Sequence, residues 1–203
     1  DRTPAELHQL GLDEIARTDR EIAAAGAALF GVADLAATIA HLQADRSLYF
    51  GSRDELLAAA TADLDRARAA ILWFFGRLLE ADCVVKEIPA HEAPFTTIAY
   101  YSEPNYDGSK PGEYRVNTYK PEVRPRWELA ALSAHESIPG HHLQIAIAQE
   151  LGALPLFRKI LGSTAFVEGW ALYTERLADE MGLYTSDLDR LGRGPGPAPH
   201  RRH

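Results

Sequence analysis

The chain has 203 residues, of which 46% are hydrophobic and 25% charged, and its formal net charge is −8. This composition is ordinary for a soluble globular protein with one large domain or two small ones. The acidic residues are spread along the chain, which argues against nucleic acid or an anionic membrane as the main partner. A single cysteine, Cys83, excludes an internal disulfide. No transmembrane run is present, so we expect no membrane insertion. Neither the cellular compartment nor the oligomeric state follows from these numbers.

Residues 1–82 are predicted to form a helical region. Apolar residues recur at helical spacing in three stretches, and residues suited to helix starts precede two of them. Thr3 and Pro4 fit an N-cap followed by the first helical position, while Ser52 and Glu55 form a capping box. The predicted helices are Pro4–Leu29, Val32–Leu42 and a third that Ser52 caps and that runs to about Leu79.

The pattern changes over residues 83–191, where a small sheet and further helices are predicted. Stretches rich in β-branched and aromatic residues predict three strands, which are Cys83–Ile88, Thr96–Tyr101 and Glu113–Tyr119. Helices are expected over about Arg126–Leu151 and Ala165–Gly182. Residues 192–203 alternate glycine with proline and are expected to be a disordered tail. The predicted fold is therefore mainly α with a small antiparallel β-sheet.

Three histidines and one glutamate lie close together in the helix predicted over residues 126–151. They are His135, Glu136, His141 and His142. Histidine is the commonest nitrogen ligand of zinc, and a neighbouring glutamate is the usual base for a water that zinc activates. A histidine-rich surface helix, or a storage or structural metal site, would be an alternative. Such a dense group beside a helix-breaking Pro139-Gly140 fits those alternatives poorly.

The histidine spacing departs from the familiar H-E-x-x-H pattern, in which histidines four apart on one helix bind one ion. Here the residue four positions after His135 is Pro139. Proline and the following Gly140 can bend the helix, so that His141 takes the place of the second histidine. On an unbroken helix His142 would share the face of His135, since seven residues make nearly two turns. We favour His141 as the second ligand and keep His142 as its competitor.

A third ligand is predicted from the later helix, in which Glu168 is surrounded by apolar residues. Two histidines and one carboxylate would leave one zinc position open for water. The alternative for Glu168 is a charged residue on the outer helix face. Glu175, two turns later, is interpreted as a hydrogen-bond partner of a ligand histidine. Tyr173 is a candidate for stabilising an oxyanion, and Trp170 is interpreted as a core residue.

The strand Glu113–Tyr119 directly precedes the helix that carries the histidines. An edge strand in this place could pair with an extended substrate. An ordinary sheet strand is an equally good interpretation of the same residues.

The chain resembles the bacterial domain of unknown function 885 in two motifs. The first is His135-Glu136-x-x-Pro139-Gly140-His141-His142-Leu143-Gln144, and the second covers Phe166–Tyr173. The resemblance extends from about Thr3 to Arg193. Phe166-Val167-Glu168 is also similar to the third-ligand stretch of thimet-type oligopeptidases. The motif of those enzymes places glycine before the second histidine, as Gly140 precedes His141 here.

The resemblance implies a zincin-like, gluzincin-related metallopeptidase catalytic core that hydrolyses peptides. It implies that His135, His141 and Glu168 bind Zn²⁺ and that Glu136 is the general base. His142 or Tyr173 would then assist the oxyanion. Members of the family are much longer, so we interpret the chain as a fragment truncated at both ends.

Three other functions are compatible with the sequence. The protein could be a zinc hydrolase of amides or esters other than peptides. It could be a truncated remnant that binds metal without turnover. It could also be a structural helical protein without a metal.

Overall fold

The first part of the chain is helical, as predicted. The computed structural model describes residues 2–193, and within residues 2–82 it has three α-helices. These are α1 (Pro4–Phe30), α2 (Leu35–Ala44) and α3 (Arg53–Phe74). The side chains of Thr3, Asp34 and Ser52 each accept a hydrogen bond from an amide in the first turn of the helix that follows. Those amides have no partner within the helix, so the caps fix where each helix begins.

The sheet is mixed, and the prediction of an antiparallel sheet is wrong for one strand pair. Its strands are β1 (Cys83–Glu87), β2 (Ala99–Ser102) and β3 (Gly112–Val116), in the order β1-β3-β2. The turn-rich residues 103–111 join β2 and β3 as a hairpin, which makes that pair antiparallel. Residues 88–98 carry the chain past the position of β3, so β1 and β3 run parallel.

This strand order changes which strand has a free edge. β3, the strand that we considered for substrate pairing, is central and hydrogen-bonded on both sides. β1 and β2 are at the two edges instead. In β2, Tyr101 lies opposite Tyr114 of β3. A free edge near a site can pair with an extended peptide, and here that edge belongs to β2.

Residues 126–193 form five α-helices. These are α4 (Arg126–Glu136), α5 (His141–Glu150), α6 (Leu156–Ile160), α7 (Thr164–Glu180) and α8 (Asp187–Leu191). The single helix predicted over residues 126–151 is therefore broken at residues 137–140. Gly140 sits against the end of α4, where an added Cβ atom would lie 1.9 Å from the carbonyl oxygen of His135. The indole N–H of Trp170 on α7 donates to the carbonyl of Pro139 at 2.9 Å.

The core lies between α3, α4 and the sheet, with Leu64, Tyr114 and Leu143 among its fully buried side chains. α3 packs against both α4 and β1 and so joins the two predicted regions. Within residues 2–193 no single helix is long and apolar enough to cross a membrane, although α1 and α2 together, bent by 57°, meet those limits. Arg193, predicted in the tail, donates to Asp179 at 2.7 Å. From residue 194 on, the tail lies outside the described residues.

Candidate metal centre

Three side chains from three helices converge at the mouth of the break between α4 and α5. His135 lies in the last turn of α4, His141 in the first turn of α5, and Glu168 in α7. The Nε2 atom of His135 is 3.6 Å from Oε2 of Glu168, and that of His141 is 3.8 Å from Oε1. One ligand atom from each residue lies within 4.8 Å of the other two. We call this group the candidate metal site.

His135 is held by a carboxylate on its far side. Its Nδ1 atom is 2.8 Å from Oε1 of Glu175, which is buried on α7. This contact puts the proton on Nδ1 and leaves the lone pair of Nε2 facing Glu168. Burial alone would lower the pKa of His135, but the hydrogen bond to Glu175 and the nearby carboxylates raise it above its usual value. The predicted role of Glu175 as partner of a histidine therefore agrees with its position.

His141 is suited to donate a lone pair. Burial and the neighbouring His135 lower the pKa of His141, which favours the neutral imidazole that metals bind. Its ring stands perpendicular to that of His135, with ring centroids 4.8 Å apart. Its Nδ1 atom is buried without a hydrogen-bond partner among residues 2–193. The position of His141 at the start of α5, directly after the break, thus sets the direction of its ring, and its Nε2 atom faces the carboxylate of Glu168.

Glu168 is more exposed than predicted. We expected its side chain to be buried by its apolar neighbours, but 51% of it is accessible to solvent. Phe166, two residues before it, is exposed as well. The carboxylate lies at the rim of an open cleft of about 310 Å³, which is also lined by Glu136, Tyr100, Tyr101 and Glu103.

Glu136 is the last residue of α4 and is buried beside the two histidines. Burial raises the pKa of its carboxyl, against the opposing effects of His135 and of the backbone N–H of Tyr101. A carboxyl with a raised pKa is better matched to proton transfer near neutral pH. Glu136 is thus placed to exchange a proton with a molecule in the cleft.

His142 does not reach the candidate metal site, in contrast to our expectation that it could be a ligand or assist the oxyanion. It is fully buried, and both ring nitrogens face other groups. Nδ1 is 2.9 Å from the hydroxyl of Tyr101, and Nε2 is 3.2 Å from the carbonyl oxygen of Ala81. Successive residues of a helix point about 100° apart, so the two adjacent histidines of α5 face different surroundings. Of the two candidates for second ligand, the structure brings His141 to the site.

Tyr173 also lies away from the described cleft, in contrast to its predicted role. It is five residues after Glu168, which places it on a different face of α7. Its side chain is 43% exposed, and its ring packs near that of Trp170 with centroids 5.7 Å apart. Trp170 is only partly buried, and its indole holds the helix break through Pro139.

Sequence reasoning missed the residues that β2 and the position directly after it contribute to the cleft. Tyr100, Tyr101 and Glu103 line it beside the candidate metal site. Their only sequence signal was the aromatic pair in a predicted strand, and nothing local indicated that this strand is at the edge. Strand order depends on contacts between distant segments of the chain. The spacing of apolar residues along the sequence gives no information about such contacts.

The fold and the candidate metal site together define a mainly helical protein with a small mixed sheet and a His-His-Glu cluster at a cleft. The chain belongs to the family described as "Bacterial protein of unknown function (DUF885)", which matches residues 1–194. This bears out the family resemblance seen in the motifs.

Two solved structures are similar over nearly the whole chain. A "putative lipoprotein" from Colwellia psychrerythraea has a TM-score of 0.87 at 33% identity, covering 95% of this chain and 34% of that one. A "putative lipoprotein of unknown function" from Shewanella oneidensis has a TM-score of 0.72 at 22% identity, covering 94% and 37%. The second likeness shows a shared fold. The chain therefore spans about a third of the length of these relatives. No curated protein matches the chain.

Proposed function

We propose that the protein is a zinc-dependent metallopeptidase. The observation that carries this proposal is the convergence of His135, His141 and Glu168 within 4.8 Å at an open cleft, with Glu136 beside them. Two imidazoles and one carboxylate are the ligand set of several zinc hydrolases, which leave a further position for water. The resemblance of both motifs to zinc metallopeptidases supports the same reaction.

The side chains fit a zinc ion in chemistry and in spacing. Ligand atoms around a tetrahedral zinc lie about 3.3 Å apart, given bonds of about 2.0 Å. The separations of 3.6 and 3.8 Å run from the two histidines to different oxygens of Glu168, and single ligand atoms of the three residues lie within 4.8 Å of one another. An ion would therefore draw them together by up to about 1.5 Å. Glu175 fixes the tautomer of His135 as partners of zinc ligands commonly do. The half-exposed Glu168 has the freedom to make such a movement.

The residues of the chain have distinct parts in the proposed hydrolysis. When bound, zinc supplies a Lewis acid that makes a water more acidic and polarises a carbonyl. Glu136 takes a proton from the attacking water and later returns it to the leaving amine. The outer edge of β2, where the backbone N–H of Tyr101 interacts with Glu136, would pair with an extended peptide and present its carbonyl beside the base. Burial of Glu136 keeps bulk water from competing for that proton.

The test is to replace the base and keep the ligands. The variant Glu136→Gln should keep wild-type zinc stoichiometry, measured by elemental analysis, and lose about 10²- to 10⁴-fold in peptide hydrolysis. Glu128→Gln is the matched control, because Glu128 lies on the same helix and burial raises the pKa of its carboxyl too. It should cleave peptides like the wild type. Normal hydrolysis by Glu136→Gln would show that another group is the base.

Two other outcomes would redirect the proposal. A zinc-loaded protein that turns over small amides or esters but no peptide would be a hydrolase of non-peptide substrates. Bound zinc without any turnover would favour a metal-binding unit, in accord with a chain that spans about a third of its solved relatives. A panel of short peptides and small amides or esters, assayed with stoichiometric zinc, separates these outcomes.

A further inference from the structure

A partly buried hydrogen bond joins α5 to the edge strand β2. The hydroxyl of Tyr101 is 2.9 Å from Nδ1 of His142. On the other side of the ring, Nε2 is 3.2 Å from the carbonyl oxygen of Ala81. A carbonyl only accepts, so Nε2 carries the proton, and Nδ1 of the neutral ring accepts from the Tyr101 hydroxyl. The His142 ring is fully buried and both of its nitrogens face uncharged groups, which favours the neutral form. The direction of both hydrogen bonds is thereby fixed.

The Tyr101–His142 pair is enclosed by backbone on the side of β3. Gly112, the first residue of β3, packs directly against it. A Cβ atom at this position would lie 2.5 Å from Nδ1 of His142 and 2.7 Å from the hydroxyl of Tyr101. Only a glycine leaves room for the hydrogen bond. The pair is therefore held from four directions, by α5, β2, β3 and the segment before β1.

The pair also touches the reaction site through the backbone of Tyr101. Tyr101 lines the cleft, and its backbone N–H interacts with the carboxyl of Glu136. His142 follows His141, so the same turn of α5 carries one residue to the candidate metal site and one to β2. In addition to its pairing with β3, β2 is thus held relative to Glu136 and His141 by this hydrogen bond.

We propose that His142 and Tyr101 are positioning residues, which hold the edge strand β2 against Glu136 and so align a peptide on β2 with the base. This role rests on the proposed peptidase function. Neither side chain reacts with substrate. A shift of about 1 Å between a bound substrate and a catalytic group can cost about 100-fold in rate, so the hydrogen bond has a measurable effect.

The test compares variants that lose the hydrogen bond with one that keeps it. Tyr101→Phe removes the donor and His142→Leu removes the acceptor, and each should lower kcat/KM for a peptide about tenfold with zinc stoichiometry unchanged. His142→Asn places an amide oxygen near the position of Nδ1, where it can accept from Tyr101. It should restore kcat/KM to within about threefold of the wild type.

Tyr114→Phe is the matched control. Tyr114 lies opposite Tyr101 on β3, and its buried hydroxyl bonds to Ser133 at 3.1 Å, not to His142. This variant removes a comparable buried hydrogen bond and should lose comparable thermal stability, yet keep wild-type kcat/KM. If Tyr114→Phe lost as much activity, the effect of Tyr101→Phe would be explained by lower stability alone, and the positioning role would be overturned.

A second readout is independent of turnover. The ¹⁵N spectrum of His142 should show the Nε2–H tautomer, with an Nδ1 resonance that moves in Tyr101→Phe and stays in Tyr114→Phe. The opposite tautomer would overturn the hydrogen-bond assignment. Full activity of Tyr101→Phe beside an active wild type overturns the positioning role alone. A zinc-loaded wild type that cleaves no peptide overturns the proposed function and the positioning role together.

Discussion

His141 and His142 are neighbours in the chain, yet they face two regions with opposite properties. On the cleft side, His141, His135 and Glu168 bring their ligand atoms within 4.8 Å of one another at an open cleft. On the inner side, both nitrogens of His142 face groups that complete their hydrogen bonding. The first arrangement is suited to binding a cation and the second to joining segments. Both residues are histidines, so what distinguishes the candidate metal ligand from the residue that joins segments is where each ring nitrogen points and whether it has a hydrogen-bond partner.

The largest expected effect is the loss of zinc, which tests the contrast between His141 and His142 directly. His141→Ala should remove stoichiometric zinc, because it deletes one of three protein ligands. His142→Asn should keep the zinc, since that side chain lies outside the candidate metal site. Elemental analysis after dialysis gives the stoichiometry, and an anomalous scattering map at the zinc edge identifies the ligands. Zinc retained by His141→Ala but lost by His142→Asn would reverse the assignment of the second ligand.

A smaller effect on the same side is expected from Glu175. The variant Glu175→Ala removes the acceptor that directs His135, and the affinity for zinc should fall about 10- to 100-fold. Glu175→Gln keeps an oxygen that accepts from Nδ1–H and should lose less. Competition with a chelating dye measures both affinities. Equal affinity in wild type and Glu175→Ala would mean that packing alone orients His135.

On the inner side, the effect is expected in stability. Gly112→Ala places a methyl group against both members of the Tyr101–His142 pair, and overpacking of this kind costs about 1–3 kcal/mol. The control is Gly76→Ala, where an added Cβ meets nothing within 4 Å, so the free energy of unfolding should change by less than about 0.5 kcal/mol. Urea denaturation measures both. A neutral Gly112→Ala would show that the pair is loosely packed.

The smallest effect concerns the back of α4, where Ser133 donates to the carboxylate of Asp63 at 3.2 Å. Burial raises the pKa of Asp63 from 3.8 to about 6, against the opposing effects of Arg66 and Ser133. The folded state therefore holds this proton more tightly than the unfolded state. The stability from this group is complete below pH 3.8 and is lost as pH rises to about 6.

Asp63→Asn should remove this dependence. The free energy of unfolding of the wild type, relative to the variant, should fall by about 1–2 kcal/mol between about pH 4 and pH 7. Urea denaturation across that range checks the slope, and the difference between the two proteins cancels the contributions of other carboxyls. A constant difference would place the pKa of Asp63 at its ordinary value in the folded protein.

The sequence was sufficient to predict the three helices before residue 82 and the helix around Glu168, because their signals are local, but it did not predict α6 and α8. Ser52 and Thr3 mark helix starts, and the predicted helices around Glu168 and before residue 82 are present. The grouping of His135, Glu136 and His141 could be recognised from their spacing in the sequence alone. His141 was favoured over His142 as the second ligand, but the sequence left His142 open, because the geometry of the break depends on Gly140 and on Trp170, a contact from a distant helix.

The sheet shows the opposite case. Its strands could be located from β-branched and aromatic residues, but their order could not, because β3 enters between two strands that precede it. The roles of Tyr101 and Gly112 follow from that order. The roles of Tyr101 and Gly112 could be recognised only from the structure, in which α5, β2 and β3 contact one another.

The third candidate ligand sits on a different helix from the two histidines. Between α5 and α7 lies the short helix α6, whose large apolar side chains Leu156, Phe157 and Ile160 are exposed. An ion held by His135, His141 and Glu168 would act as a crosslink that closes this weakly packed loop and restricts the unfolded chain. Heat resistance would then rise with the concentration of free metal, so a melting curve could titrate the centre before any substrate is known.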